Sequence, residues 1–314
     1  MTCVWVIGGN GLLGTALTDV MVSSGVKLFR PAEKILWDSE SKLKAQLKLM
    51  VAEFSIFIKT ESDWQIYWAA GVGFMGSDKS ELQTETLALT ILLSLIELQH
   101  PLISANGCFA FASSAGAIYA GTTDYIVNED TSISPTTAYA EEKIKQEELI
   151  SIFAKKNSNV SVLLARISTL YGTVSRSSKR KGLLTEMARR IVRNQPIQIY
   201  VPFDTIRDYI TADDAAKIMV SAANAVLQQL GIFVKIIASS QPVTIAEIIS
   251  VFKQVSHRPP KIVTSASKLS NAYKHQIQFS SIVMPSINCH CQTSILVGIF
   301  RVMAAERLSF SRYG

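Results

Sequence analysis

Tyr139 and Lys143 lie four positions apart in "TTAYAEEKIK", residues 136–145. Positions i and i+4 of a helix share a face, so a phenol and an ammonium would stand side by side. Free tyrosine holds its proton at neutral pH, with a pKa of about 10. A neighbouring cation favours the phenolate and lowers that value. A tyrosine tuned in this way can give a proton to a reacting oxygen or remove one. The bland alternative is a chance pair on an amphipathic helix, with Glu141 and Glu142 between them as solvated residues.

A second constellation lies at the start of the chain. "CVWVIGGNGLLG" places Gly8, Gly11 and Gly14 directly after a β-rich apolar run and at the head of a helical pattern that begins at Leu12. Glycine permits a tight turn with positive φ and close backbone approach to a pyrophosphate. The helix N-terminus adds free N–H groups and a positive dipole end. The spacing is G-x-x-G-x-x-G, and only its strand-to-helix context makes it informative. The end of the second strand should select the cofactor: an acid there binds a ribose 2′-hydroxyl, an arginine a 2′-phosphate. In "VKLFRPAEKILWD" the strand ends at Arg30, and the nearest acids are Glu33 and Asp38. The expected cofactor is therefore NAD or NADP, with NADP favoured by Arg30.

These residues need a scaffold to bring them together. Residues 26–30, 34–37, 63–71, 108–114 and 160–167 read as strands or a strand with its loop. Residues 39–53, 78–98 and 136–154 read as helices. Strands that alternate with helices predict an α/β fold: a doubly wound, Rossmann-type parallel sheet with helices on both faces. After residue 172 the alternation weakens. Helices are expected at 183–194, 211–227 and 244–255, and short strands at 197–200 and 233–238. The reading is a dinucleotide-binding domain over 1–172 and, over 173–314, mainly a smaller C-terminal substrate-binding lobe, with about 200–235 returning to the main sheet. No internal repeat is visible.

With the glycine turn and Tyr139-x-x-x-Lys143 in place, the chain resembles the extended short-chain dehydrogenase/reductase family, the NAD-dependent epimerase/dehydratase group. "SSAGAIYAG" (113–121) is similar to the family's serine strand. "YWAAG" (67–71) resembles its adenine-side loop, "RISTLYG" (166–172) its R-x-x-N-x-Y-G segment, and "RDYITADDAA" (207–216) its R-D-Y-I-x-V-D-D-x-A segment. The likeness runs in order over residues 1 to about 255, and more loosely through "TSILVGI" at 293–299. It implies hydride transfer between bound NAD(P) and a nucleotide-diphosphate sugar, by an epimerase or a reductase. Tyr139, Lys143 and Ser114 would be catalytic, with Ser113 as the fallback for the serine and Tyr119 as the strand-end tyrosine that sets the count. Cofactor contacts would come from Gly8, Asn10, Gly11, Leu12, Leu13, Gly14, Arg30, Asp38, Ala69, Ala70, Gly71, Tyr139, Lys143 and Ile167. Lys143 would bind the nicotinamide ribose. Substrate contacts would come from Ser114, Tyr139, Thr169 and Arg207. Thr169 stands where the family usually has asparagine, and Ala115 beside the serine argues against a dehydratase. Arg207 would pair with the diphosphate, since its planar fork takes phosphate oxygens two at a time. Asp208, Asp213 and Asp214 are expected to cap the following helix or hold Arg207.

Composition sets the outer limits. Hydrophobic residues make up 48% of the 314 and charged residues 18%, which excludes a disordered chain. The apolar stretch Leu87–Ile96 is about half the ~20 residues that span a bilayer, so it reads as a buried helix, and the helix over 87–98 is a candidate surface for pairing with a second copy. A cytoplasmic location is expected. Four scattered cysteines make neither a disulfide framework nor, with "CHC" at 289–291, a complete zinc site, so no metal is expected. Residues 1–150 carry 10 Lys+Arg against 18 Asp+Glu, and residues 151–314 carry 21 against 7. The densest basic stretch, 175–193, attracts polyanions. It reads either as a solvated face or as a site for a phosphorylated small substrate, nucleic acid or an anionic membrane; no aromatic residues interleave with the charges to stack bases. The rival reading is a non-catalytic NAD(P)-sensing or RNA-binding protein on the same fold.

Overall fold

The computed structural model describes residues 2–37, 39–58, 63–71, 73, 77–173, 182–265, 277–290 and 293–313, with the side chains of 289, 290, 312 and 313 left out. The chain runs β1 (Cys3–Ile7), α1 (Leu12–Ser23), β2 (Lys27–Phe29), α2 (Glu40–Phe57), β3 (Trp64–Trp68), α3 (Lys79–Glu97), α4 (His100–Ser104), β4 (Gly107–Ser114), α5 (Ala115–Ile118), β5 (Ile126–Val127), α6 (Ala138–Lys156) and β6 (Val160–Ile167). It continues with β7 (Thr169–Tyr171), α7 (Leu183–Val192), β8 (Ile197–Ile199), β9 (Ile206–Thr211), α8 (Ala212–Leu227), β10 (Ile232–Ile237), β11 (Pro242–Thr244), α9 (Ile245–Ser256), β12 (Ile262–Thr264), β13 (Gln278–Phe279) and α10 (Ile295–Tyr313). No helix among the described residues is long and apolar enough to cross a membrane.

Six parallel strands form one sheet in the order β10-β6-β4-β3-β1-β2. The inner strands are buried on both sides, and their alternation sorts two cores. Trp5, Trp64, Ile66, Trp68, Val162 and Leu164 face α2, α3 and α6. Val4, Tyr67, Leu163, Ala165 and Ile167 face α1 and α8. Helices on both faces of a parallel sheet are the physical reason these strands read as near-continuous apolar runs. The strand order reverses between β1 and β3, which makes the crevice at their carboxyl ends the natural ligand site of this architecture.

Beyond β6, two parts of the chain take different places. Helix α8 packs on the main sheet and leads into β10, its outer strand. Strand β9 instead pairs with β7 and β11 in a separate three-stranded sheet. A third core joins α7, α9 and α10 around Met187, Ile248, Phe252 and Met303. Strand β13 pairs with β5 and carries Phe279 against Tyr119.

Residues 34–37, expected as a strand, form none. The side chain of Gln46 on α2 accepts from Leu36 N and donates to Lys34 O. It satisfies backbone groups that a strand would pair with a neighbour, so β2 remains the sheet edge.

Candidate active site

A cavity of about 510 Å³ opens at the carboxyl ends of β3, β4 and β6. Ala69, Ala70 and Gly71 after β3, Ser114 at the end of β4 and Ile167 at the end of β6 line it, with Thr169, Arg207 and Leu13. Tyr139 and Lys143 face it from α6. The helix starts where it does because the Thr137 hydroxyl accepts from Ala140 N at 3.2 Å, satisfying one of the orphan donors of the first turn. Glu141 near that end and Lys155 and Lys156 near the other match the helix dipole. Tyr139 is thereby fixed in the first turn and Lys143 one turn on.

Ser113 and Ser114 end the same strand and point to opposite faces. Ser114 lines the cavity together with Tyr139. Ser113 is buried and donates to Glu147 Oε1 at 2.6 Å. Tyr119 does not end the strand. Residues 115–118 turn into the short helix α5, and the buried Tyr119 accepts a hydrogen bond from Arg166 Nη1.

The ammonium of Lys143 is more heavily engaged than an i, i+4 pair implies. Its Nζ donates to Glu85 Oε1 at 2.7 Å and to Gln146 Oε1 at 3.0 Å. It stands 4.9 Å from the ring centre of Phe111 and 5.8 Å from that of Tyr139. Lys143 and Glu85 are 7% and 3% exposed, so this ion pair is buried. The other carboxylate oxygen, Glu85 Oε2, is buried with no hydrogen-bond partner among the described residues and lies against Gly71.

These surroundings reverse one expectation. The Tyr139 phenol is held above its ordinary value, not below it. Burial is the largest cause. Lys143 pulls the value down, Glu85 pushes it up, and the Ser114 hydroxyl pulls it down again. Burial likewise penalises the Lys143 cation, but Glu85, with Tyr139 and Glu147, outweighs it and leaves its value raised.

The glycine turn has the shape a dinucleotide requires. Gly8 has φ +88°, and a Cβ there would come within 2.5 Å of Ala70 N. A Cβ on Gly14 would collide with the Gly8 carbonyl oxygen. Gly11 caps α1 without a side-chain hydrogen bond, and no acidic residue sits in the first turn. The amide groups and positive end of that helix are therefore left for an anion, so the residues present fit a pyrophosphate. Asn10 is exposed in the turn, and Leu12 is half-buried just after it. Arg30 is exposed directly after β2. Asp38 lies outside the described residues.

Other expected residues take different parts. Arg207 lines the cavity, and its Nη1 donates to Ile206 O at 2.8 Å. Asp208 does not cap α8. It is buried and accepts from Ser168 Oγ at 2.6 Å and from Ser239 N and Oγ, both at 2.9 Å. Burial raises its pKa against the pull of those bonds. The cap of α8 is the Thr211 hydroxyl, which accepts from Asp214 N at 3.1 Å, while the Asp214 carboxylate accepts from Thr293 N. Within the basic stretch, residues 174–181 lie outside the described residues. Arg189 and Arg190 pair with Glu186, and Arg193 with Glu306. None of the three lines the cavity. Glu142, expected to be solvated, is 13% exposed and sits 3.5 Å from Lys145. In "CHC", the side chains of Cys289 and His290 and all of Cys291 lie outside the described residues.

Sequence reasoning missed Glu85, Ile277 and Phe279 as cavity neighbours and Phe111 as a ring beside Lys143. Glu85 carried a signal. It falls on the same helical face as Leu82, Ala88, Leu89 and Leu92, all buried, and an acid on an apolar face needs a partner. Ile277 and Phe279 carried none, because a two-residue strand has no pattern to detect.

A parallel doubly wound sheet, a glycine turn before α1, and a serine, tyrosine and lysine gathered at the carboxyl edge define a protein of the extended short-chain dehydrogenase class. The sequence pattern of the NAD dependent epimerase/dehydratase family matches residues 4–233, and the chain belongs to that family of enzymes. It is 25% identical over 225 residues to the dTDP-4-dehydro-6-deoxyglucose reductase of Escherichia coli, covering 67% of this chain and 69% of that one. It is 29% identical over 229 residues to a protein of Methanocaldococcus jannaschii named "Putative UDP-glucose 4-epimerase", covering 70% and 73%. The structure of MoeE5 in complex with UDP-glucuronic acid and NAD shares the fold, with a TM-score of 0.79 at 19% identity over 98% of this chain and 99% of that one.

Proposed function

We propose that this chain catalyses hydride transfer on the sugar of a nucleotide diphosphate, as an epimerase or a reductase, with Tyr139 as the proton relay. One observation carries the reading: Ser114, Tyr139 and Lys143, from β4 and α6, meet in one cavity at the carboxyl edge of the sheet. NAD(P), when bound, supplies or accepts the hydride.

In this reading the glycine turn and the head of α1 hold the pyrophosphate, with Asn10, Leu12 and Leu13 beside it. Arg30 meets a 2′-phosphate and so favours NADP. Ala69, Ala70, Gly71 and Ile167 border the cofactor, and Lys143 reaches the nicotinamide ribose. Thr169 and Arg207 bind the substrate's phosphates. Ser114 hydrogen-bonds the sugar oxygen that Tyr139 protonates or deprotonates. The cavity's position supports the assignment, and so does the substrate chemistry in the names of the relatives.

The test is to release and weigh whatever nucleotide the purified protein carries, then to titrate the stripped protein with NADH, NADPH and UDP. A tightly held NAD marks an epimerase, which regenerates its cofactor. A protein that arrives empty and takes up NADPH marks a reductase. A protein that binds no nicotinamide nucleotide yet binds single-stranded RNA overturns the reading.

A further inference from the structure

We propose that Glu85 is a positioning residue for Tyr139: by pinning Lys143 and offsetting its charge, it weakens the pull of that cation on the phenol. The proposal rests on the reading of Tyr139 as the proton relay and adds to it a residue from α3, 54 positions before Tyr139.

Distances carry the argument. The Lys143 ammonium touches a carboxylate at 2.7 Å, while the centre of the tyrosine ring is 5.8 Å away. What the phenol meets is therefore not a lone cation but the positive end of an ion pair, whose field falls off faster than that of a single charge. Burial of both partners preserves that field from screening by water.

The carboxylate is also an unusual one. A buried carboxylate kept only for stability should have both oxygens bonded. Glu85 has Oε1 on Lys143, while Oε2 lies against Gly71 without a donor among the described residues. Leaving a buried charged oxygen unbonded is unfavourable. An uncharged glutamine would keep the bond to Lys143 through its own Oε1. What it could not supply is the negative charge, and the charge is what Tyr139 registers: Glu85 raises the proton affinity of the phenol, against Lys143 and Ser114.

The other charged groups nearby do not take over this role. Glu147, one turn along α6 from Lys143, is covered by Arg166 of β6. Arg207 and Asp208 line the same cavity, and Asp208 is bonded by Ser168 and Ser239. Gln146 and Phe111, the remaining contacts of Lys143, are uncharged. Among the described residues, the charges that act on Tyr139 are Lys143 and Glu85, and of the two Glu85 joins burial in opposing the phenolate.

The experiment reads the phenol itself. Protein labelled with carbon-13 at the tyrosine ζ position is titrated without cofactor, and the Tyr139 signal is the one lost in Tyr139→Phe. Glu85→Gln should lower the Tyr139 midpoint by about one unit, a tenfold change in proton affinity. An unchanged midpoint in a folded Glu85→Gln protein overturns the proposal. Should that variant fail to fold, Lys143→Met and the double variant Glu85→Gln/Lys143→Met decide instead. Lys143→Met leaves the carboxylate alone beside the phenol and should raise the midpoint. The double variant removes both charges and should bring it back down. Equal midpoints in these two variants overturn the proposal. Failure of the relay reading would appear elsewhere, as full turnover in Tyr139→Phe, and would leave the titration result standing.

Discussion

Lys143 and Glu147 leave α6 one turn apart, and each enters a buried ion pair, yet the two pairs differ in how completely they are bonded. Glu147 accepts from Arg166 Nε and Nη2 and from Ser113 Oγ, and the remaining guanidinium nitrogen donates to Tyr119. Every polar group there has a partner, and the four residues tie α6, β4 and β6 into one block. The pair at Lys143 leaves Glu85 Oε2 without a bond among the described residues and stands on the cavity wall. A fully bonded network of this kind fixes geometry. An incompletely bonded one beside a cavity leaves electrostatic force to act on something else, here a phenol and whatever meets it.

The largest effect should come from the cavity side. Tyr139→Phe is expected to lower turnover by roughly the 10²–10⁴-fold typical of general acid–base catalysis, with cofactor affinity and stability little changed because the ring still packs. Turnover and urea melts on the same preparation check both halves. Near-normal turnover would erase the distinction between the two pairs.

On the other side, Glu147→Ala should act on stability. It strands the Arg166 cation and the Ser113 hydroxyl in the interior, a loss of about 3–5 kcal/mol for a broken buried pair. Denaturation midpoints would show it. The Tyr139 titration midpoint should hardly move, and a shift as large as that expected for Glu85→Gln would show that the two pairs act as one.

Arg30 tests whether an exposed charge behaves differently from both. Arg30→Asp should weaken NADPH binding by about 10- to 100-fold, the range for losing a charge-assisted hydrogen bond, with a much smaller effect on NADH. Added salt should shrink the wild-type preference. Equal losses for the two cofactors would remove Arg30 from the 2′-phosphate site.

The smallest effect concerns a third buried cation. Lys235 is buried in β10 and bonds Ser281 Oγ, Val283 O and Asn288 Oδ1, none of them charged. Burial lowers its pKa to about 8, against a lesser pull from Glu129, while Lys143 with its direct carboxylate is raised. The signs differ accordingly. For Lys235 the unfolded chain holds the proton more tightly, so its contribution to stability rises between about pH 8 and the ordinary lysine value. Lys143 contributes its stability below that ordinary value and loses it as pH rises through its raised one. Relative to wild type, Lys235→Met should therefore be more destabilising at pH 9.5 than at pH 7.5, read from urea midpoints at the two pH values. A constant difference would mean that the hydrogen bonds, not the charge, set the behaviour of Lys235.

How much of this could be read in advance follows physical range. The glycine turn and Tyr139/Lys143 are local in sequence, and their signals come from spacing alone. The strand β6 was placed residue for residue, because a strand buried on both faces is a continuous apolar run. The strand expected at 34–37 failed because an apolar run also suits a segment laid along a helix, and a side chain 10 residues on, Gln46, satisfied it. Ser113 and Ser114 could not be told apart by counting from Tyr119, since a helical turn intervenes. The raised phenol of Tyr139 was out of reach for the same kind of reason. It depends on Glu85, whose approach to Lys143 exists only once α3 and α6 pack together.

The place of β10 bears on how the protein is made. β6 is an eight-residue apolar strand, and the neighbour that covers its outer edge lies more than sixty residues further along the chain. During synthesis β1, β2, β3, β4 and β6 can all emerge and pair while that edge still exposes a row of free amide and carbonyl groups, the arrangement most prone to join another chain. The window closes only when α8 and β10 have followed. Slow elongation between residues 167 and 237, or a weakened β10, should therefore send nascent chains into aggregates without altering a single residue of the cavity.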